Sequence, residues 1–220
     1  MKKFVLLPLA LAFAANSAMA ANSVDLRVTG TITPAACDIS LAGGDFDLGT
    51  ISGNDLSATT KTTLPAVGGK TLNITCSGAT QVAFKALDNR ASSRPSGIQN
   101  PAMFGLGMDG ANNPIGYYTI GVVQSTMTVD GGSGKLKGSV DEGASWAIYA
   151  SPVVNLTPYD LNPRITAIDL ETAGDNAPPT PITNASTELQ VTGYIQPEST
   201  LDTSAEIALD GSATIELVYL

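Results

Sequence analysis

The sequence predicts an all-β protein, an antiparallel sandwich of short strands joined by long inter-strand loops. Three observations carry this reading. Apolar residues recur at every second position in run after run, the pattern of strands with one buried face. Gly, Pro, Asn and Asp gather between the runs, where turns need their backbone freedom or their fixed φ. Beyond the first twenty residues, no stretch of ten or more carries a helical stripe.

The chain opens on Met1-Lys2-Lys3, turns apolar for about a dozen residues from Phe4, and ends that run on Ala18-Met19-Ala20. A charged start, a short apolar run and an Ala-x-Ala site form a secretory signal over residues 1–20. The run is too short to span a membrane, which takes roughly 20 apolar residues. The mature chain is then residues 21–220, read as one domain, exported to an oxidising compartment.

The first expected strand runs over residues 24–32, where Val24, Leu26, Val28, Gly30 and Ile32 alternate with polar residues. Leu72, Ile74 and Cys76 alternate in the next, and Val82, Phe84 and Ala86 follow after a Ser77-Gly78-Ala79 turn. Further strands are expected over 117–129, 146–149, 164–170 and 189–195, and the chain closes on Ala213, Ile215, Leu217 and Tyr219, again alternating. Residues 171–183, with Pro178, Pro179 and Pro181, read as a long surface loop.

Cys37 and Cys76 are the two cysteines. An even count in an exported chain reads as one disulfide, and closing a loop of 39 positions is worth roughly 4 kcal/mol in the chain-entropy model.

Charge and composition remove several functions. Counting Lys2 and Lys3 out of the 11 basic residues leaves 9 against 20 acidic ones. The nine are scattered, whereas nucleic acid and anionic membrane both need clustered positive charge. The chain has no histidine, so Ser-His and Cys-His nucleophiles and most zinc sites have no ligand or base. Gly131-Gly132-Ser133-Gly134-Lys135 lacks the first glycine of a phosphate loop and the Ser or Thr after its lysine; it reads as a hairpin turn. Asp45 with Asp47, and Asp141 with Glu142, read as solvated turn residues rather than a glycosidase pair, which must face across a cleft. Trp146, Tyr149, Tyr117 and Tyr118 are the candidates for a sugar-stacking platform in a chain only 5% aromatic. No enzyme and no cofactor is expected.

Val28-x-Gly30-x-Ile32-x-Pro34-Ala35-Ala36-Cys37, then Asp47-Leu48-Gly49, then Leu72-Asn73-Ile74-Thr75-Cys76 resembles the first half of chaperone–usher pilin domains. The terminal strand with penultimate Tyr219 resembles a pilin C-terminus. Ile74-Thr75-Cys76, Asp88-Asn89-Arg90, Phe104-Gly105-Leu106-Gly107, Ile115-Gly116 and Leu209-Asp210-Gly211-Ser212-Ala213-Thr214 are similar to the GltF-like branch, uncharacterised proteins often found beside chaperone–usher genes. The resemblance implies an immunoglobulin-like pilin-type sandwich in the periplasm or a surface fimbrium.

Its implied function is that of a structural or adhesin-like fimbrial subunit in cell adhesion, assembled through strand complementation. The implied partners are a periplasmic chaperone, an outer-membrane usher and other fimbrial subunits. The expected complementation face is Ala213, Ile215, Leu217 and Tyr219. Only Ala21-Asn22-Ser23 precede the first expected strand, which predicts a subunit that accepts a strand without donating one, unless residues between Asp88 and Thr187 supply the missing strand internally. The alternative function is a soluble periplasmic GltF-like binding or regulatory factor that does not polymerise; one member of that branch is linked to nitrogen regulation.

Overall fold

Among the described residues, twelve strands run in order. They are β1 (Cys37–Ala42), β2 (Thr62–Thr63), β3 (Val67–Thr80), β4 (Val82–Asp88), β5 (Phe104–Gly105) and β6 (Gly116–Val129), then β7 (Gly132–Ser139), β8 (Ala147–Ile148), β9 (Val153–Asn155), β10 (Ile165–Leu170), β11 (Ile182–Ile195) and β12 (Ala213–Tyr219). The structure, a computed structural model, describes residues 25–31 and 36–220. By its internal contacts the chain falls into two units, Met1–Thr33 and Pro34–Leu220. The signal over residues 1–20 lies outside the described residues. No helix among the described residues is long and apolar enough to cross a membrane.

The strands of the second unit form one antiparallel path, β1-β3-β11-β6-β7-β10-β4-β12. The 14-residue strands β3, β6 and β11 make the body of one sheet, with β1 at its edge. The β6–β7 hairpin carries the path into the other sheet, β7-β10-β4-β12. Its turn is Asp130-Gly131, both at positive φ, as a tight two-residue hairpin demands. The Gly131–Lys135 stretch is thus the expected turn and the strand that leaves it. A single residue, Gln81, separates β3 from β4, so one continuous stretch of chain serves both sheets. The result is a sandwich nearly closed into a barrel.

Alternation decides the core. β11 buries Ala185, Leu189, Val191 and Ile195, while Leu72 and Ile74 of β3, Val122 of β6, Leu136 of β7 and Phe84 of β4 close on the same interior. A smaller cluster of Ala83, Trp146, Ile165 and Ala167 covers the other face of the second sheet. β4 and β10 are therefore buried on both faces, which explains their near-continuous apolar runs.

Several expectations change. The strand expected over residues 24–32 is absent from its described part: residues 25–31 lie in no strand, and Leu26 and Val28 are 87% and 89% exposed. Val24 and Ile32 lie outside the described residues. The first strand is instead β1, beginning at Cys37. An alternating segment therefore lies ahead of β1. Ser77-Gly78-Ala79 is not a turn, because β3 continues to Thr80. Residues between Asp88 and Thr187 form β5 to β10, and none of these strands pairs with β1 or β12; they do not supply the missing strand.

The disulfide Cys37–Cys76 is formed and lies directly across the β1–β3 ladder. The 171–183 loop is mostly exposed, as expected, until β11 begins at Ile182.

Candidate functional site

The two ends of the strand path, β1 and β12, border a groove of about 1080 Å³. Ile39 and Leu41 of β1 and Ala213 and Ile215 of β12 line its banks, and Tyr118 and Ile120 of β6 belong to its floor. Phe46 and Leu48 on one side, and Ile207 and Leu209 on the other, extend the apolar lining into loops. Asp45, Asp47 and Glu206 are its charged lining residues, with no Lys or Arg among them. Burial pushes the Tyr118 hydroxyl above its ordinary pKa, with the nearby Asp88 charge adding to the effect, so the phenol stays neutral.

Each bank has an unpaired edge. β1 pairs only with β3, and β12 only with β4, among the described residues. Unpaired edge N–H and C=O groups flanking an apolar trough are what an added strand satisfies. The banks meet where the Cys37 N–H donates to the Tyr219 hydroxyl, 2.8 Å away.

Of the four residues expected on the complementation face, Ala213 and Ile215 line the groove. Leu217 is half-buried against the main core. Tyr219 is 53% exposed, its hydroxyl spent on Cys37. The loop residues Ile207 and Leu209 were not anticipated as lining; only the position of Leu209 at the head of the Leu209–Thr214 motif signalled a role.

Of the motifs that carry the GltF-like resemblance, those from Asp88 onward converge on one end of this groove, while Ile74-Thr75-Cys76 lies opposite Cys37–Ile39 of β1. Asp88, fully buried, accepts hydrogen bonds from the backbone N–H of Arg90 and Gly105 and from Arg94 Nε at 2.6 Å. Arg94 also grips Asp160 with both terminal nitrogens. Arg90 makes a two-pronged contact with Asp210 at 2.8 and 3.0 Å, which holds the Asp210 carboxyl below its usual range. Asn89 Nδ2 donates to the hydroxyls of Ser212 and Thr214, at the head of β12. The Asp210 N–H donates to the Leu106 carbonyl and the Leu106 N–H to the Gly116 carbonyl. Gly105 permits the closeness: a Cβ there would lie 2.3 Å from the Arg90 carbonyl oxygen. These scattered motifs are one polar node that positions β12 and the Leu209 wall.

Of the four carboxylates expected in turns, Asp47 and Asp141 hold turn hydrogen bonds. Asp47 accepts from the Gly49 N–H. Asp141 takes the hydroxyls of Ser145 and Ser139 and the Ser145 N–H; these bonds pull its pKa down to about 2. The aromatic candidates do not form a platform. Trp146, Tyr117 and Tyr118 are buried in packing, and Arg164 lies over the Tyr149 ring.

With this geometry in hand, known proteins give a consistent frame. A family model described as "Protein of unknown function (DUF1120)" matches residues 26–113. The uncharacterized protein YhcF of Escherichia coli K12 is 33% identical, over 95% of both chains. The chain belongs to this family. The protein GltF of the same organism is 28% identical over 96% of this chain and 94% of its own. The family model covers the β1 bank and the Asp88–Gly105 part of the node, the two relatives align over nearly the whole chain, and the family's printed description assigns no activity.

Proposed function

We propose that the protein is a structural or adhesin-like fimbrial subunit of the periplasm and cell surface, whose groove takes an extended segment from a partner. The observation that carries this reading is the groove itself: an apolar trough bordered by two strands that each have an unpaired edge. A periplasmic chaperone fills it first, an outer-membrane usher directs the exchange, and a neighbouring subunit then occupies it. Residues 24–32 have the alternation of a donor, and Leu26 and Val28 are exposed. The subunit can thus give a strand as well as accept one. The acidic lining suits Arg27, the basic residue of that segment.

The test uses the chain from residue 34 onward and a synthetic peptide of residues 22–33. Saturable one-to-one binding is expected, lost when Leu26 and Val28 of the peptide are both replaced by Asp. Copurification with a chaperone from periplasm is expected from the intact protein. A monomer that binds no peptide and copurifies with nothing overturns the reading and leaves the soluble GltF-like factor, which the identity to GltF over nearly the whole chain supports.

A further inference from the structure

Away from the groove, Lys137 of β7 and Asp169 of β10 form an ion pair in which both side chains are 0% exposed. The two residues lie diagonally across the ladder, Lys137 facing Ala167 and Asp169 facing Lys135. Neighbouring Lys135 is occupied elsewhere, with Asp175 and the Ala173 carbonyl. Burial raises the Asp169 pKa, but Lys137 and the Thr180 donors together bring it below its usual value.

The hydrogen bonding of this pair is lopsided. Asp169 Oδ1 accepts three donors, the N–H of Leu170, the N–H of Thr180 and the Thr180 hydroxyl. Oδ2 has no such donors; its close partner is Lys137 Nζ, 2.6 Å away. Nζ also donates to the carbonyls of Gly174 and Ala177, at 2.6 and 3.0 Å. One carboxylate oxygen is thus held as an oxyanion would be, and the other faces the buried amine.

We propose that Lys137 and Asp169 condense into an intramolecular amide that staples β7 to β10. Nζ passes one proton to Oδ2, and the freed lone pair adds to Cγ. The negative charge that develops then falls on Oδ1, where three preorganised donors already point. Collapse breaks the Cγ–Oδ2 bond and expels water, which carries two of the three ammonium hydrogens; the third stays on the amide nitrogen, with the Gly174 or Ala177 carbonyl to receive it. Nothing is oxidised or reduced, and no co-reactant is consumed. Two buried groups fixed in contact supply the proximity that substitutes for an activated acid, and the burial that makes a charge pair costly favours a neutral product.

The test is the intact mass of the protein recovered from periplasm, reduced and denatured, followed by a tryptic map. The expected mass is one water below that of the mature sequence. Trypsin is expected not to cut after Lys137, and a branched peptide should join the two strands. Lys137→Arg, which keeps the charge and cannot form this amide, should restore the full mass. A wild-type chain at full mass, with Lys137 open to acylation once unfolded, overturns the proposal. So does a water loss that persists in Lys137→Arg, since a succinimide at Asp130-Gly131 gives the same mass.

Discussion

The two ends of β12 are held in opposite ways. At Ala213 the strand starts from a node in which Asp88, Asn89, Arg90, Gly105, Asp210 and Ser212 exchange hydrogen bonds across three separate segments. At Tyr219 the bank is tied to β1 by a hydroxyl on the Cys37 N–H, backed by the disulfide that anchors β1 to β3. A network has redundancy, so thermal motion must break several bonds at once to move that end. A single exposed hydroxyl bond contributes only about 1 kcal/mol. The groove therefore has a fixed end and an end that opens at small cost, and strand entry is expected to begin at the Tyr219 end.

Breaking the node should have the largest effect. Asp88→Ala leaves Arg94 Nε and the backbone N–H groups of Arg90 and Gly105 without their acceptor, while Asp160 still holds the Arg94 terminal nitrogens. At about 1–3 kcal/mol for each orphaned donor, the loss should be about 3–5 kcal/mol, read by urea denaturation. Next comes the other anchor: Cys37→Ser should cost about 4 kcal/mol, and alkylation of the native protein should find no free thiol until reduction. A change within the groove sharpens the comparison by separating binding from folding. Ile215→Asp puts a charge into the apolar trough and should lower affinity for the 22–33 peptide at least tenfold, while Glu216→Asp on the outer face should bind as the parent does.

Tyr219→Phe tests the weak end directly. It should cost about 1 kcal/mol or less, speed peptide association, and leave Cys37–Cys76 intact. The smallest effect is on pH dependence. Hydrogen bonds, led by the Asp202 N–H on Asp109 and the Ser145 hydroxyl on Asp141, bring both carboxyls down to about 2. A depressed carboxylate stabilises the fold fully above its unfolded pKa, near 3.9, and that contribution is lost as pH falls through the folded value. Stability should be level above about pH 5 and decline between about 4 and 2, with Asp109→Asn showing a shallower decline.

The strands that bury one face were legible from alternation, as at β12, and the core face of β11 followed the same rule. The same signal did not mark a strand at residues 25–31, because alternation says that a segment can lie on a sheet, not which sheet it joins. The Cys37–Cys76 pairing was readable from compartment and count. The groove was half readable. Ala213 and Ile215 followed from the period of β12, but the Ile207–Leu209 wall belongs to a segment without regular structure, where no period marks the inward side. The node was visible as motifs, yet its unity depends on contacts more than a hundred residues apart, such as Arg90 with Asp210.

The single residue between β3 and β4 has a mechanical consequence. Both banks of the groove hang from one uninterrupted stretch of chain, β1 paired to β3 and β12 paired to β4. Tension applied to the residues ahead of Cys37 enters at that cysteine and crosses the disulfide into β3, so the β1 hydrogen bonds are not pulled in series. From there it runs covalently through Gln81 into β4 and reaches β12 as shear along seven ladder positions. Traction on the N-terminal segment is thus delivered to the opposite bank lengthwise, the direction in which a β-ladder must lose all its bonds together rather than one at a time.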